Sequence, residues 1–133
     1  GCFDVIHPGY IHTFEIAKKY CDHLTVLLHE NPATENLEKY IPILSVSDRK
    51  QIILSLQYVD SVIVYETEND LLDILINHEI DIRFLGDDYK NKKKFTGYNL
   101  DIDIKYIDRN HDWSSTKFKN MIHNQISEKE SLL

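Results

Sequence analysis

His7, Pro8, Gly9 and Tyr10 stand immediately before an apolar series, Ile11, Phe14, Ala17 and Cys21, spaced as one face of a helix. A helix start presents unpaired backbone N–H groups and the positive end of its peptide dipoles, so this turn suits an anion. His7 adds a side-chain donor at the same place. The chemistry so assembled is phosphate binding. Arg109, Ser114, Ser115 and Thr116 repeat the theme near the other end of the chain. There a guanidinium offers bidentate hydrogen bonds, and hydroxyls stand at the opening of another helical pattern. Taken alone, a serine cap beside a surface arginine is the plainer reading of those residues. Gly86-Asp87-Asp88 is a third piece. Its carboxylates can accept from ribose hydroxyls or an exocyclic amine and its glycine permits close backbone approach, although paired aspartates are commoner in solvated turns.

Such residues need a scaffold that brings distant turns together. Leu24 to Leu28 is a short continuous apolar run, as expected of a parallel strand covered on both faces. A long loop passes Pro32 and Pro42, and Ser47-Asp48 opens a helix carrying Ile52, Ile53 and Leu56. Ser61 to Tyr65 is the next strand. Asn69 is expected to cap a helix with Leu71, Leu72, Leu75 and Ile76, followed by a strand from Ile82 to Leu85 that stops at Gly86. Lys90 to Lys94 reads as a solvated charged segment. Asp103 to Ile107 is the last strand, and Ser114 or Ser115 caps a final helix to about Ile126, with a frayed polar end from Ser127 to Glu130. Alternating strands and helices predict an α/β fold, a Rossmann-like parallel sheet with helices on both faces and ligands beyond the carboxyl ends of its strands. His7, Gly86 and Arg109 fall at such ends. The central strand that should precede Gly1 is not in the sequence, and its loss would bare two unpaired edges. The expectation is a chain cropped at its amino end, or pairing from another source.

With 133 residues, the chain is expected to form a single domain over residues 1–133. Its 42% hydrophobic and 28% charged residues suit a globular protein with no apolar run long enough to cross a bilayer, and no secretory signal is expected. Fifteen Lys and Arg against twenty-two Asp and Glu give a net charge of −7, which argues against a general nucleic-acid binder. An anionic ligand must be caught by local groups. Cys2 and Cys21 are too few for a disulfide framework, and the cytoplasm is the expected compartment. His23, His29, His78, His111 and His123 lack metal-ligand spacing and read as surface or packing residues. No metal site is expected.

The opening Gly1-Cys2-Phe3-Asp4-Val5-Ile6-His7-Pro8-Gly9-Tyr10 resembles the H-x-G-H signature of the cytidylyltransferase-like nucleotidyltransferases. More narrowly, it is similar to the G-x-F-D-x-x-H-x-G-H opening of the small bacterial glycerol-3-phosphate cytidylyltransferases. Arg109 to Thr116 resembles their R-T-E-G-I-S-T-T, and Gly86-Asp87-Asp88-Tyr89 their G-D-D-W. The resemblance covers nearly the whole chain. It implies transfer of CMP from CTP to a small phosphorylated alcohol, with Mg²⁺ carried in on the triphosphate. It makes His7, Lys39 and Arg109 catalytic, Lys39 by closing over the phosphates from the long loop. It places Gly1, Cys2, Phe3, Gly9, Tyr10, Gly86, Asp87, Asp88, Ser114, Ser115 and Thr116 around the nucleotide. Asp4 and Arg49 would face the acceptor, and the protein would be a homodimer. An aspartate beside a tight turn can also simply bond backbone, and Arg49 in a first helical turn can be a surface residue.

Tyr10 departs from the pattern, which has a second histidine there. Tyrosine keeps a hydroxyl but has no cationic form near neutral pH, and losing one preorganised donor costs about 3–4 kcal/mol of transition-state stabilisation. His12 lies two residues further along the helix, nearly opposite Tyr10, so it is not expected to stand in. Tyr10 and the divergent Asp112-Trp113 motivate a second reading, a catalytically degenerate nucleotide-binding regulatory or interaction module. A third is adenylyl transfer by the same fold. Gln57, where the glycerol-3-phosphate enzymes carry arginine, leaves the acceptor open.

Overall fold

Each of the four α-helices begins on a side chain that takes up a free backbone N–H. His7 accepts from Gly9, Ser45 from Asp48, Thr67 from Asp70 and Ser114 from Lys117. In the computed structural model, which describes residues 1–133, these caps open α1 (Pro8–Lys18), α2 (Val46–Leu54), α3 (Glu68–Asn77) and α4 (Ser115–Ser131). Three boundaries differ from the sequence expectation. Ser45 rather than Ser47-Asp48 starts α2, because its extended backbone lets its hydroxyl reach three residues ahead. Thr67 rather than Asn69 starts α3, since Thr67 and Asp70 satisfy each other's backbone N–H in a reciprocal box. The third difference is at the end. α4 runs on past Ile126 to Ser131 through residues expected to fray, a polar stretch whose Glu and Lys are good helix formers.

The strands are β1 (Thr25–His29), β2 (Ser61–Tyr65), β3 (Ile82–Gly86) and β4 (Asp103–Ile107). β1 pairs with β2 in parallel, from Thr25 opposite Ser61 to His29 opposite Tyr65. β3 pairs with β4 in parallel, from Ile82 opposite Asp103 to Gly86 opposite Ile107. The fold is therefore α/β with parallel strands, but the ladder falls into two pairs rather than one continuous sheet. The edge of β1 turned away from β2 receives a single residue: the Gly1 nitrogen donates to the Leu27 carbonyl at 2.9 Å, and the His29 N–H donates to the Gly1 carbonyl at 2.8 Å. That rung holds the segment leading to α1 against the carboxyl end of β1.

Alternating side chains of β1 face two apolar clusters. Val26 and Leu28 join Phe14 and Ala17 of α1, Ile53 of α2 and Ile107 of β4. Leu27 packs on the other face, against Tyr65, Leu71 and Leu75 of β2 and α3. Helices thus cover both faces of the first strand pair. Each fully buried Leu or Ile contributes about 1.5–3 kcal/mol, so the first cluster, which contains residues of both pairs, is what binds them into one body.

Candidate functional site

The start of α1 is built around a buried imidazole. His7 is only 4% exposed, and its Nδ1 accepts the Gly9 N–H at 3.1 Å. A neutral ring that accepts at Nδ1 carries its proton on Nε2. That Nε2 is buried and has no hydrogen-bond partner. Burial first, then the nearby His111 and Arg109, hold the His7 pKa below its ordinary 6.5, so the neutral ring is favoured.

Tyr10 lies against this ring, with centroids 4.2 Å apart and planes 19° from parallel. Its hydroxyl is 2.8 Å from the Ser115 hydroxyl at the first residue of α4. The two helix beginnings expected to bind phosphate therefore meet across one hydrogen bond. Trp113 closes the same space, 5.8 Å from His7 and nearly parallel to it. Arg109 donates from Nη2 to the Trp113 carbonyl at 2.9 Å, and its backbone N–H reaches the Asp87 carboxylate at 3.2 Å. That N–H is the leading cause of the lowered Asp87 pKa. The carboxylate of Asp88 folds back on Gly86, where an added Cβ would lie 2.6 Å from Oδ1. Glycine is what lets that strand end accommodate it.

The other expected residues have different occupations. Ser114 is spent on the Lys117 N–H, and Thr116 is exposed. Lys39 is exposed in the long loop, and its side chain makes no hydrogen bond or ion pair. Cys2 and Phe3 line the approach to α1, Phe3 with its ring edge-on to Tyr10 at 5.1 Å and with a positive φ of 47°. Asp4 is 4% exposed and accepts from the Ile43 and Leu44 N–H groups, both at 2.9 Å, with Lys119 Nζ at 2.8 Å. Burial would raise its pKa, but these N–H groups and Lys119 outweigh burial and hold it below the usual carboxylate value. Arg49 is 2% exposed and donates to four carbonyls, those of Leu44, Cys2, His29 and Glu30. Expected at an acceptor, both residues instead clamp the backbone that frames the site.

Two histidines read from the sequence as packing or as misdirected belong to this neighbourhood. His111 lies directly over Gly9: a Cβ built there would meet its Cε1 at 2.5 Å and the Cε1 of His7 at 2.9 Å. His12 stands with its ring 6.1 Å from that of His111, and its buried Nε2 also has no partner. Pro8, Gly9, His12, Asn110, His111 and Trp113 line an open cleft of about 320 Å³. The signals were present. His111 sits inside the loop already assigned to phosphate, and His12 follows Pro8 by four residues, hence shares its face. No group of three or more His, Cys, Asp or Glu side chains is arranged to hold a metal ion. No helix is long and apolar enough to cross a membrane.

Comparison with known proteins supplies independent findings. A family model described as Cytidylyltransferase-like matches residues 1–121. Glycerol-3-phosphate cytidylyltransferase of Bacillus subtilis (strain 168) is 32% identical over 123 residues, covering 92% of each chain. FAD synthase of Pyrococcus horikoshii is 28% identical over 109 residues, 77% of this chain and 74% of that protein. The bifunctional protein HldE of Campylobacter fetus subsp. fetus is 32% identical over 123 residues, and the match spans 26% of its length. Among solved structures, the lipopolysaccharide core biosynthesis protein from Thermoplasma volcanium GSS1 superposes with a TM-score of 0.62 at 30% identity, over 82% of this chain and 90% of that one.

Proposed function

The chain belongs to the cytidylyltransferase-like family, and from that premise we propose that it moves CMP from CTP to a small phosphorylated alcohol of the glycerol-3-phosphate kind. A phosphate oxygen of the acceptor attacks the α-phosphorus in line, the bond to the bridging oxygen breaks, and pyrophosphate leaves. There is no covalent enzyme intermediate and no general base, because the acceptor phosphate is already nucleophilic. Positioning and charge neutralisation supply the rate. Mg²⁺ enters as part of the nucleotide substrate.

One observation carries this reading: the buried Nε2 of His7, a donor with nothing to donate to, at the beginning of a helix. An unmade hydrogen bond of that kind costs about 1–3 kcal/mol, and a phosphate oxygen at the cap would recover it. Arg109 and the α4 start then hold the outer phosphates, with Lys39 closing over them from its loop. Asp87 and Asp88 face the nucleoside, which favours the exocyclic amine of cytosine as their donor. Asp4 and Arg49 serve the acceptor side by fixing the Leu44 loop.

A second reading has its own observation. The Tyr10 hydroxyl is spent on Ser115, so it bridges two helices rather than pointing free, as suits a module that binds nucleotide without turning it over. Pyrophosphate release measured with CTP or ATP, Mg²⁺ and a panel of phosphorylated alcohols, beside calorimetric binding, separates the two. CTP-dependent release with at least one polyol phosphate is expected. Nucleotide binding with no release on any acceptor would replace the enzyme by the module, and preference for ATP would replace cytidylyl by adenylyl transfer.

A further inference from the structure

We propose that His111 supplies a second imidazole to the phosphate site, entering from the loop before α4 because position 10 of α1 carries a tyrosine. The inference deepens the reading above and rests on it.

The two rings are held in the same way. The Nδ1 of His7 accepts the N–H of Gly9, and the Nδ1 of His111 accepts the N–H of Trp113, each at 3.1 Å and each two residues ahead. Both neutral rings therefore present Nε2 as a proton donor. The Nε2 of His7 is buried and unpaired, and the single hydrogen bond of His111 is the one at its Nδ1. Their Cε1 atoms flank one point above Gly9, 2.9 Å from it for His7 and 2.5 Å for His111, whose Nε2 is 3.0 Å away. Only glycine leaves that point open. Both rings thus lie over the first turn of α1 beside Arg109, each with an Nε2 that makes no hydrogen bond within the protein.

Packing alone does not account for this pair. Two imidazoles and a guanidinium gathered at one helix start repel one another once protonated, and after burial, the largest cause, His111 and Arg109 further depress the His7 pKa. A phosphate among them turns each repulsion into attraction. Tyr10 is unable to take the same part, because its ring lies on His7 and its hydroxyl on Ser115.

The test uses the full chain. His111→Asn keeps a side-chain acceptor able to bond the N–H two residues on, so the turn survives while the Nε2 donor is lost. Its kcat for pyrophosphate release with CTP, Mg²⁺ and the acceptor that the wild type uses is expected to fall about a hundredfold, with little change in KM. Adding Tyr10→His to that variant returns an imidazole from the α1 side and restores at least about tenfold. His123→Asn, on the exposed part of α4, leaves the rate unchanged. A kcat within about threefold of wild type, or a loss that Tyr10→His does not restore, overturns the proposal. A wild-type readout covers the case of a variant that does not fold. On titration with CTP and Mg²⁺, the Cε1 proton resonances of both His7 and His111 should shift; a response of His7 alone also overturns it. If both respond but no acceptor is turned over, the transferase reading fails while His111 stands as a phosphate ligand.

Discussion

The unpaired Nε2 of His7 is the atom from which most of the site's behaviour follows. Burial first, then the nearby His111 and Arg109, keep the ring neutral in the free protein, with a pKa below the 6.5 it regains when the chain unfolds. Between those two values the unfolded chain binds more protons, so stability is complete above about 6.5 and is lost as the pH falls toward the folded value. Melting temperatures across that window are expected to drop more for wild type than for His7→Asn, in which the amide can still accept the Gly9 N–H. A bound triphosphate reverses the sign. Its charge raises the His7 pKa, so binding takes up a proton and calorimetry in buffers of unequal ionisation heat should show a larger uptake for wild type than for the variant. Equal slopes in both proteins would mean that other groups govern the acid limb. At this scale His7, Gly9, Arg109 and Ser115 could be singled out in the sequence because each has a chemical type suited to one job at one place. His111 could not. Its type was visible but its neighbour was Gly9, far away in the chain.

At the scale of elements, local chemistry explains where helices start and long-range chemistry explains where they sit. Ser45, Thr67 and Ser114 act within three residues, which is why caps can be sought in sequence at all. Arg49 acts across the fold. It enters from the first turn of α2 and gathers the carbonyls of Cys2, His29 and Glu30, joining the segment before α1 to the carboxyl end of β1. Replacing it by methionine keeps the length and the apolar stem but strands those acceptors. A loss of about 3 kcal/mol or more is expected in urea unfolding, out of the 5–15 kcal/mol typical of a domain, and Arg49→Lys should recover only part because a single ammonium does not reproduce the planar fork. If Arg49→Met instead unfolds like wild type while acceptor KM rises, the guanidinium serves the acceptor directly. Sequence placed Arg49 at a helix start, where a cation is mildly unfavourable, and the four carbonyls it meets there offset that misfit.

For the molecule as a whole, a net charge of −7 is compatible with the proposed phosphate site because the cations are local, Arg109 beside the helix starts and Lys119 against Asp4. Two strand pairs carry the two halves of that site. Ile107, 2% exposed at the end of β4, packs in one cluster with Phe14, Val26 and Leu28, so it holds the α4 side against the α1 side. Ile107→Ala is expected to cost about 2–5 kcal/mol and to weaken nucleotide binding well before the protein unfolds, because the helix starts lose their common footing. Unaltered affinity in a destabilised Ile107→Ala protein would show that Tyr10 and Ser115 hold the site together unaided.

The order of strands and helices, their parallel sense, the two helix-opening turns and the family were determined by sequence alone, since periodicity, caps and short motifs depend on neighbours a few residues apart. Only the tertiary structure decided that the ladder divides into two pairs, that Asp4 and Arg49 are occupied by backbone, and that His111 closes over Gly9. Those facts depend on which distant groups meet, and contact between residues a hundred positions apart is set by packing, which no local pattern encodes.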